Sequence, residues 1–209
     1  MVFGLIPLFL VVPKDRWKNL LATKKPGLHF VRGFAGTAAL IAVYASLHYL
    51  PLAQTVSLTF ASPIFSTILS IVVLHEVVRM RRWAAIILGF IGVCVLINPF
   101  SAEFSIYMLL PLIFCFFFGI VSISIRKLSE TEPTYLVALY FTIFGTIASL
   151  LTIPFFGDWQ LPASSFDFLI LSCVGIFGGI GNLALTSAFK NAEVSIVTPL
   201  KYIGLIYAM

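Results

Sequence analysis

Charge is scarce in this 209-residue chain: Asp, Glu, Lys and Arg together make up 10% of it, where soluble domains carry about 25%. Residues 33–75, 83–102, 104–125, 133–157 and 168–189 contain none of the four. Such a chain has no solvated shell to close around a core, which excludes a soluble enzyme. The 13 basic residues, for a net charge of +5, lie between the apolar runs rather than in one patch, so a nucleic-acid partner is excluded too. Cysteine is nearly as rare. Cys94, Cys115 and Cys173 each stand alone in an apolar run, where a thiol acts as a small hydrophobe and reports nothing about redox compartment. Missing as well are Gly-x-Ser-x-Gly, the P-loop, Cys-x-x-Cys and the dinucleotide fingerprint, so ATP-driven work by this chain alone has no support. His75-Glu76-Val77-Val78-Arg79 ends in Arg where a zinc-binding helix needs its second His. No catalytic residue, cofactor or metal is expected.

What is present is apolar surface: 60% hydrophobic residues, 15% aromatic, and a mean hydropathy of +1.08. About 20 apolar residues, rising ~1.5 Å each, cross a hydrocarbon layer of ~30 Å. Barrel strands read as alternating segments of about ten residues, unlike the almost continuously apolar Ile86 to Ile97 and Met108 to Val121. The sequence therefore predicts an all-α, polytopic membrane bundle. Complete spans are expected near 30–49, 51–74, 83–100, 105–125, 134–156 and 167–188, the long run from Gly33 to His75 being divided at Leu50-Pro51. Met1 to Pro13, about 20 Å as a helix, reads as half a span; its charges follow it, which excludes a signal peptide. Val194 to Met209 reaches only about 24 Å. The two ends predict a fragment of a longer protein or a truncated reading frame.

Lys and Arg alternate along the connections. Residues 14–32 hold six, 76–82 three, 126–132 two and 189–193 one, whereas the connections near 50, 101–104 and 157–167 hold none. The basic loops belong to the cytoplasmic side. An internal repeat accompanies this alternation. Shifting the chain by 139 residues superimposes Gly36, Ile41, Ala45, Ala53, Thr59 and Ile64 on Gly175, Ile180, Ala184, Ala192, Thr198 and Ile203. An odd number of spans separates the windows, so they cross the membrane in opposite directions, as the inverted repeats of secondary transporters do.

Arg32-Gly33 opening a span, the Leu50-Pro51-Leu52-Ala53 turn, Ser62-Pro63, Leu74-His75-Glu76, and Arg82-Trp83 leading into Gly89-Phe90-Ile91-Gly92-Val93 together resemble the EamA type of the drug/metabolite transporter superfamily. The likeness runs the length of the chain and is strongest to the group that includes bacterial S-adenosylmethionine uptake carriers. The resemblance implies ten helices in two inverted five-helix repeats with cytoplasmic termini. On this chain those would be residues 1–100, lacking the first helix, and 101–209, lacking the last. It implies a secondary carrier of small polar metabolites in the bacterial inner membrane, working by alternating access. Its partners would be a small-molecule substrate and the lipid bilayer, with self-association left open. The alternatives are an intramembrane enzyme, for which the chain offers only scattered hydroxyls and peripheral histidines, and a truncated chain that is transport-inactive or depends on a partner.

Thr55, Thr59, Ser62, Ser66 and Ser70 share one helical face, which either lines a wet cavity or packs closely against a neighbour. Pro63 interrupts that helix, a feature of transporter sites. Tyr44, on a face with Thr37 and His48, and Asn182 are candidate hydrogen-bonding partners of a polar solute, while Gly175 and Gly179 suit a close helix contact. His48 is expected at the outer interface. Lys201 is the one basic residue well inside an apolar stretch; it either holds a substrate carboxylate, with Thr198 and Tyr202 as co-ligands, or snorkels to the interface. The candidate substrate-binding set is thus Tyr44, Thr59, Ser62, Ser66, Asn182, Thr198, Lys201 and Tyr202. Pro63, Glu76 and Arg32 are gating or structural candidates, Glu76 as the partner of Arg79, Arg81 or Arg82 and Glu193 as a helix-opening charge.

Overall fold

A computed structural model describes residues 2–97, 105–152, 162 and 164–203. Among them, every regular element is helical. After a 3₁₀ turn, Val2–Gly4, come α1 (Leu5–Val11), α2 (Pro26–Tyr49), α3 (Leu52–Thr59), α4 (Ser62–Leu74) and α5 (Met80–Ile97). Then follow α6 (Leu109–Leu128), α7 (Thr134–Thr152), α8 (Ser165–Asn191), α9 (Val194–Val197) and a 3₁₀ turn, Thr198–Tyr202. The expected spans 30–49, 51–74, 105–125, 134–156 and 167–188 coincide with stretches long and apolar enough to cross a bilayer. The ends of the expected spans 83–100 and 134–156, and the boundary between residues 100 and 101, lie outside the described residues.

The helix limits follow from local chemistry. Pro26 opens α2, where its missing amide hydrogen costs nothing. Leu50, extended at φ −123° because Pro51 follows, ends it. At the end of α4, His75 turns left-handed (φ 56°), which is uncommon without glycine and redirects the chain so that Glu76 leaves the helix sideways. Ser164 and Asp167 close a capping box at the start of α8. The expected single span 51–74 is bent: α-helical geometry lapses at Phe60 and Ala61, one turn before Pro63. The same lapse occurs after Val197, where α9 gives way to 3₁₀ geometry with Pro199 at its start.

With hydrocarbon outside, burial alone does not drive helices together, and close fit takes over. A core cluster of Ala35, Val121, Ile123, Ile125, Leu128, Val137, Phe189 and Val194 joins α2, α6, α7, α8 and α9. The Gly175–Gly179 pair is a backbone contact: a side chain on Gly179 would collide with the Gly4 carbonyl. Large apolar residues elsewhere, such as Phe34, Ile41, Val72, Leu88 and Phe177, point outward, as a lipid-facing surface requires.

Candidate functional site

Pro63 removes the amide that would bond the carbonyl four residues back, Thr59. That carbonyl is met from another part of the chain. Lys201 donates through Nζ to Thr59 O (3.1 Å) and to Ser62 Oγ (2.8 Å), and the Cys115 thiol approaches the same carbonyl at 3.5 Å. Three rings enclose the ammonium, with Phe118, Phe114 and Phe60 centroids 4.9, 5.1 and 5.8 Å away. No carboxylate is recorded as its partner among the described residues. Lys201 therefore does not snorkel: it points inward, where two interrupted helices meet.

Of the expected co-ligands, Tyr202 is adjacent but turns its hydroxyl to Ile86 O (3.4 Å) while its ring fills the space left by Gly89. Thr198 donates to Val194 O (3.0 Å), a bond within its own turn that leaves its hydroxyl oxygen able to accept. The hydroxyl stripe of Thr55, Thr59, Ser62, Ser66 and Ser70 is buried. Thr59 Oγ1 and Ser70 Oγ bond carbonyls of their own helices, and Thr55 meets Ser46. Ser66 Oγ, fully buried one turn below Ser62, has no partner.

Tyr44 and Asn182 belong to a different place. Both line a cavity of about 680 Å³ among Gly4, α2, α7 and α8, away from Lys201. Tyr44 is 67% exposed on the outer surface. Asn182 is already engaged: it accepts from Arg32 Nη2 (2.9 Å) and donates to Ala138 O (3.2 Å). Arg32 is 2% exposed, its guanidinium 4.2 Å from the Phe141 ring centre, which makes it a strut between α2, α7 and α8. His48 is exposed beside Tyr49.

Glu76 does not pair with the nearby arginines. Its carboxylate accepts the amides of Val194 (2.9 Å) and Ser195 (3.1 Å), the first two residues of α9. Arg82 pairs instead with Glu193 and donates to Ser195 Oγ (2.8 Å). Further ties join the same basic side: Glu132 accepts from Thr23 Oγ1 (2.8 Å) and Lys24 N (2.7 Å), and Lys25 Nζ reaches Lys127 O (3.1 Å). Sequence reasoning missed Phe114, Cys115 and Phe118, which carry no signal inside an apolar run, and Pro199, which the 139-residue offset places opposite Phe60, where the helix between α3 and α4 lapses. No cluster of three potential metal ligands occurs among the described residues.

The sequence matches the EamA-like transporter family over residues 1–98 and 105–209. The riboflavin transporter of Vibrio cholerae is 30% identical over 184 residues, 87% of this chain and 61% of that protein. The pseudopaline exporter CntI of Pseudomonas aeruginosa is 28% identical, with 85% and 62% covered. An S-adenosylmethionine uptake transporter of Rickettsia prowazekii is 25% identical, with 90% and 63% covered. The chain thus spans about three fifths of the length of these relatives. A solved crystal structure has a similar fold, at a TM-score of 0.75 and 18% identity, covering 97% of this chain and 70% of the other.

Proposed function

The chain belongs to the EamA-like transporter family, and from that premise we propose that it forms the core of a secondary carrier for a small polar metabolite. It is an all-helical, multi-pass protein of the bacterial inner membrane. The two halves, residues 1–100 and 101–209, would expose one central site to either side by rocking against each other.

The observation that carries this reading is the 2.8 Å contact between Lys201 and Ser62. Their separation, 139 residues, is the offset of the internal repeat. Positions related by a twofold axis can touch only where they lie beside that axis, and in inverted repeats the axis runs in the membrane plane. The lapse at Phe60 and Ala61 falls, at that offset, within the 3₁₀ turn Thr198–Tyr202, and paired helix interruptions are where such carriers bind solute. Lys201, Ser62 and the Thr59 carbonyl are the proposed solute-binding groups, with Tyr202 and Ser66 beside them and Pro63 creating the opening. Lys201 would meet an acceptor or anionic group of the solute, since its ammonium has no carboxylate partner among the described residues. Tyr44 and Asn182 leave the substrate set, and Arg32 is assigned a structural role.

Counterflow in proteoliposomes tests the reading, with riboflavin, S-adenosylmethionine and pseudopaline as the first solutes. Vesicles preloaded with unlabelled solute should take up labelled solute transiently and saturably, and Lys201→Met should abolish this. A flux that rises linearly with concentration, without counterflow, would refute a carrier.

A further inference from the structure

Glu76 lies in the connection between α4 and α5 and Arg82 in the first turn of α5, whereas the groups they hold, Glu193 and the amides and hydroxyl of Val194 and Ser195, come from the junction of α8 and α9. These ties join parts of the chain more than 110 residues apart, on the basic and hence cytoplasmic side. Seven residues beyond Val194, the same short segment carries Lys201. A carboxylate gripping both amides fixes the start of α9 in position and direction, because two hydrogen bonds from successive residues leave it little freedom to swing. The left-handed turn at His75 aims Glu76 at these amides.

We propose that Glu76 and Arg82 form an inner clasp that positions Lys201 against Ser62 and closes the cytoplasmic approach to that site. This rests on the reading of the chain as a carrier. Both residues are positioning residues, acting through α9 rather than on the solute. Among the described residues, the ties of Glu76 and Arg82 are joined on the basic side by those of Glu132 and Lys25. Opening inward therefore requires release of the two acid-held joints, and the one at α9 moves Lys201 directly.

Cys115 is a built-in reporter, since its thiol is fully buried and shares the Thr59 carbonyl with Lys201. In the full chain carrying Cys94→Ala and Cys173→Ala, labelling of Cys115 by a membrane-impermeant maleimide is measured in inside-out and right-side-out vesicles. Glu76→Gln keeps the side chain's size but replaces one accepting oxygen with a donor, and Arg82→Gln cuts the second tie independently. Each should raise cytoplasmic labelling at least tenfold and leave labelling from the outer side unchanged; Arg82→Lys should stay near the parent rate. Equal increases from both sides would mean a loosened fold and overturn the proposal, as would unchanged cytoplasmic labelling in both Gln variants. Counterflow is scored separately: its absence in the parent with side-selective labelling intact would sink the carrier reading and leave the clasp standing.

Discussion

Pro63→Ala supplies the amide whose absence leaves the Thr59 carbonyl to Lys201, so the effect of losing Lys201 should depend on which residue stands at 63. In the parent, Lys201→Met strips that carbonyl of its 3.1 Å donor and Ser62 of its 2.8 Å partner. An unsatisfied buried acceptor costs about 1–3 kcal/mol, and a hydrogen bond to a charged group contributes about 1.5–3 kcal/mol. Removing the buried ammonium returns part of this, because its desolvation penalty goes with it. The sign of the single substitution is therefore uninformative, and the double-mutant cycle is the quantity to measure. With Ala at 63 the carbonyl gains a backbone donor, and Lys201→Met should cost less than in the parent by about 1–2 kcal/mol, roughly one such bond. Unfolding of the four proteins in mixed detergent micelles, followed by far-ultraviolet circular dichroism, gives the coupling. Agreement of the two Lys201 effects within about 0.5 kcal/mol, the range of independent sites, would refute the idea that the lysine stands in for the missing amide.

Two further outcomes are expected. Asn182→Leu removes the hydrogen-bond acceptor of the buried Arg32 guanidinium and should destabilise the chain by about 3–5 kcal/mol, with Arg32→Met on the same chain recovering most of it; the same unfolding assay measures both. Gly89→Ala places a methyl group 2.5 Å from the Tyr202 ring and should cost about 1–3 kcal/mol, whereas Gly92→Ala, which meets nothing within 4 Å inside α5, should be neutral or stabilising by up to about 1 kcal/mol.

How much of this was readable beforehand depends on the range of the interaction involved. The spans were legible because the bilayer imposes a length and Pro51 and Pro63 act on their own turns, whereas the start of α2 at Pro26 lies four residues before the expected 30. The repeat was legible as an offset, and that offset places Ser62 opposite Lys201. Helical periodicity showed that Thr59, Ser62 and Ser66 share a face, but not whether water or α6 covers it. The partner of Glu76 was hidden because it lies more than 110 residues away, and three arginines nearby in sequence offered a more obvious one. Asn182 looked free for the same reason, its donor Arg32 being 150 residues upstream. Tyr44 shares a helical face with Thr37, yet only packing decides that its ring sits at the surface.

The exchange of a missing amide for a lysine 142 residues further along also has a schedule. At about 5–20 residues per second, a ribosome takes roughly 7–30 s to pass from Thr59 to Lys201. Throughout that interval the first half sits in the bilayer with that carbonyl lacking its ammonium donor, and the Cys115 thiol, made earlier, is the weaker donor available to it. The bend is thus finished from outside its own half, late in synthesis, and a nascent chain halted before Lys201 emerges would carry an incomplete α3–α4 bend.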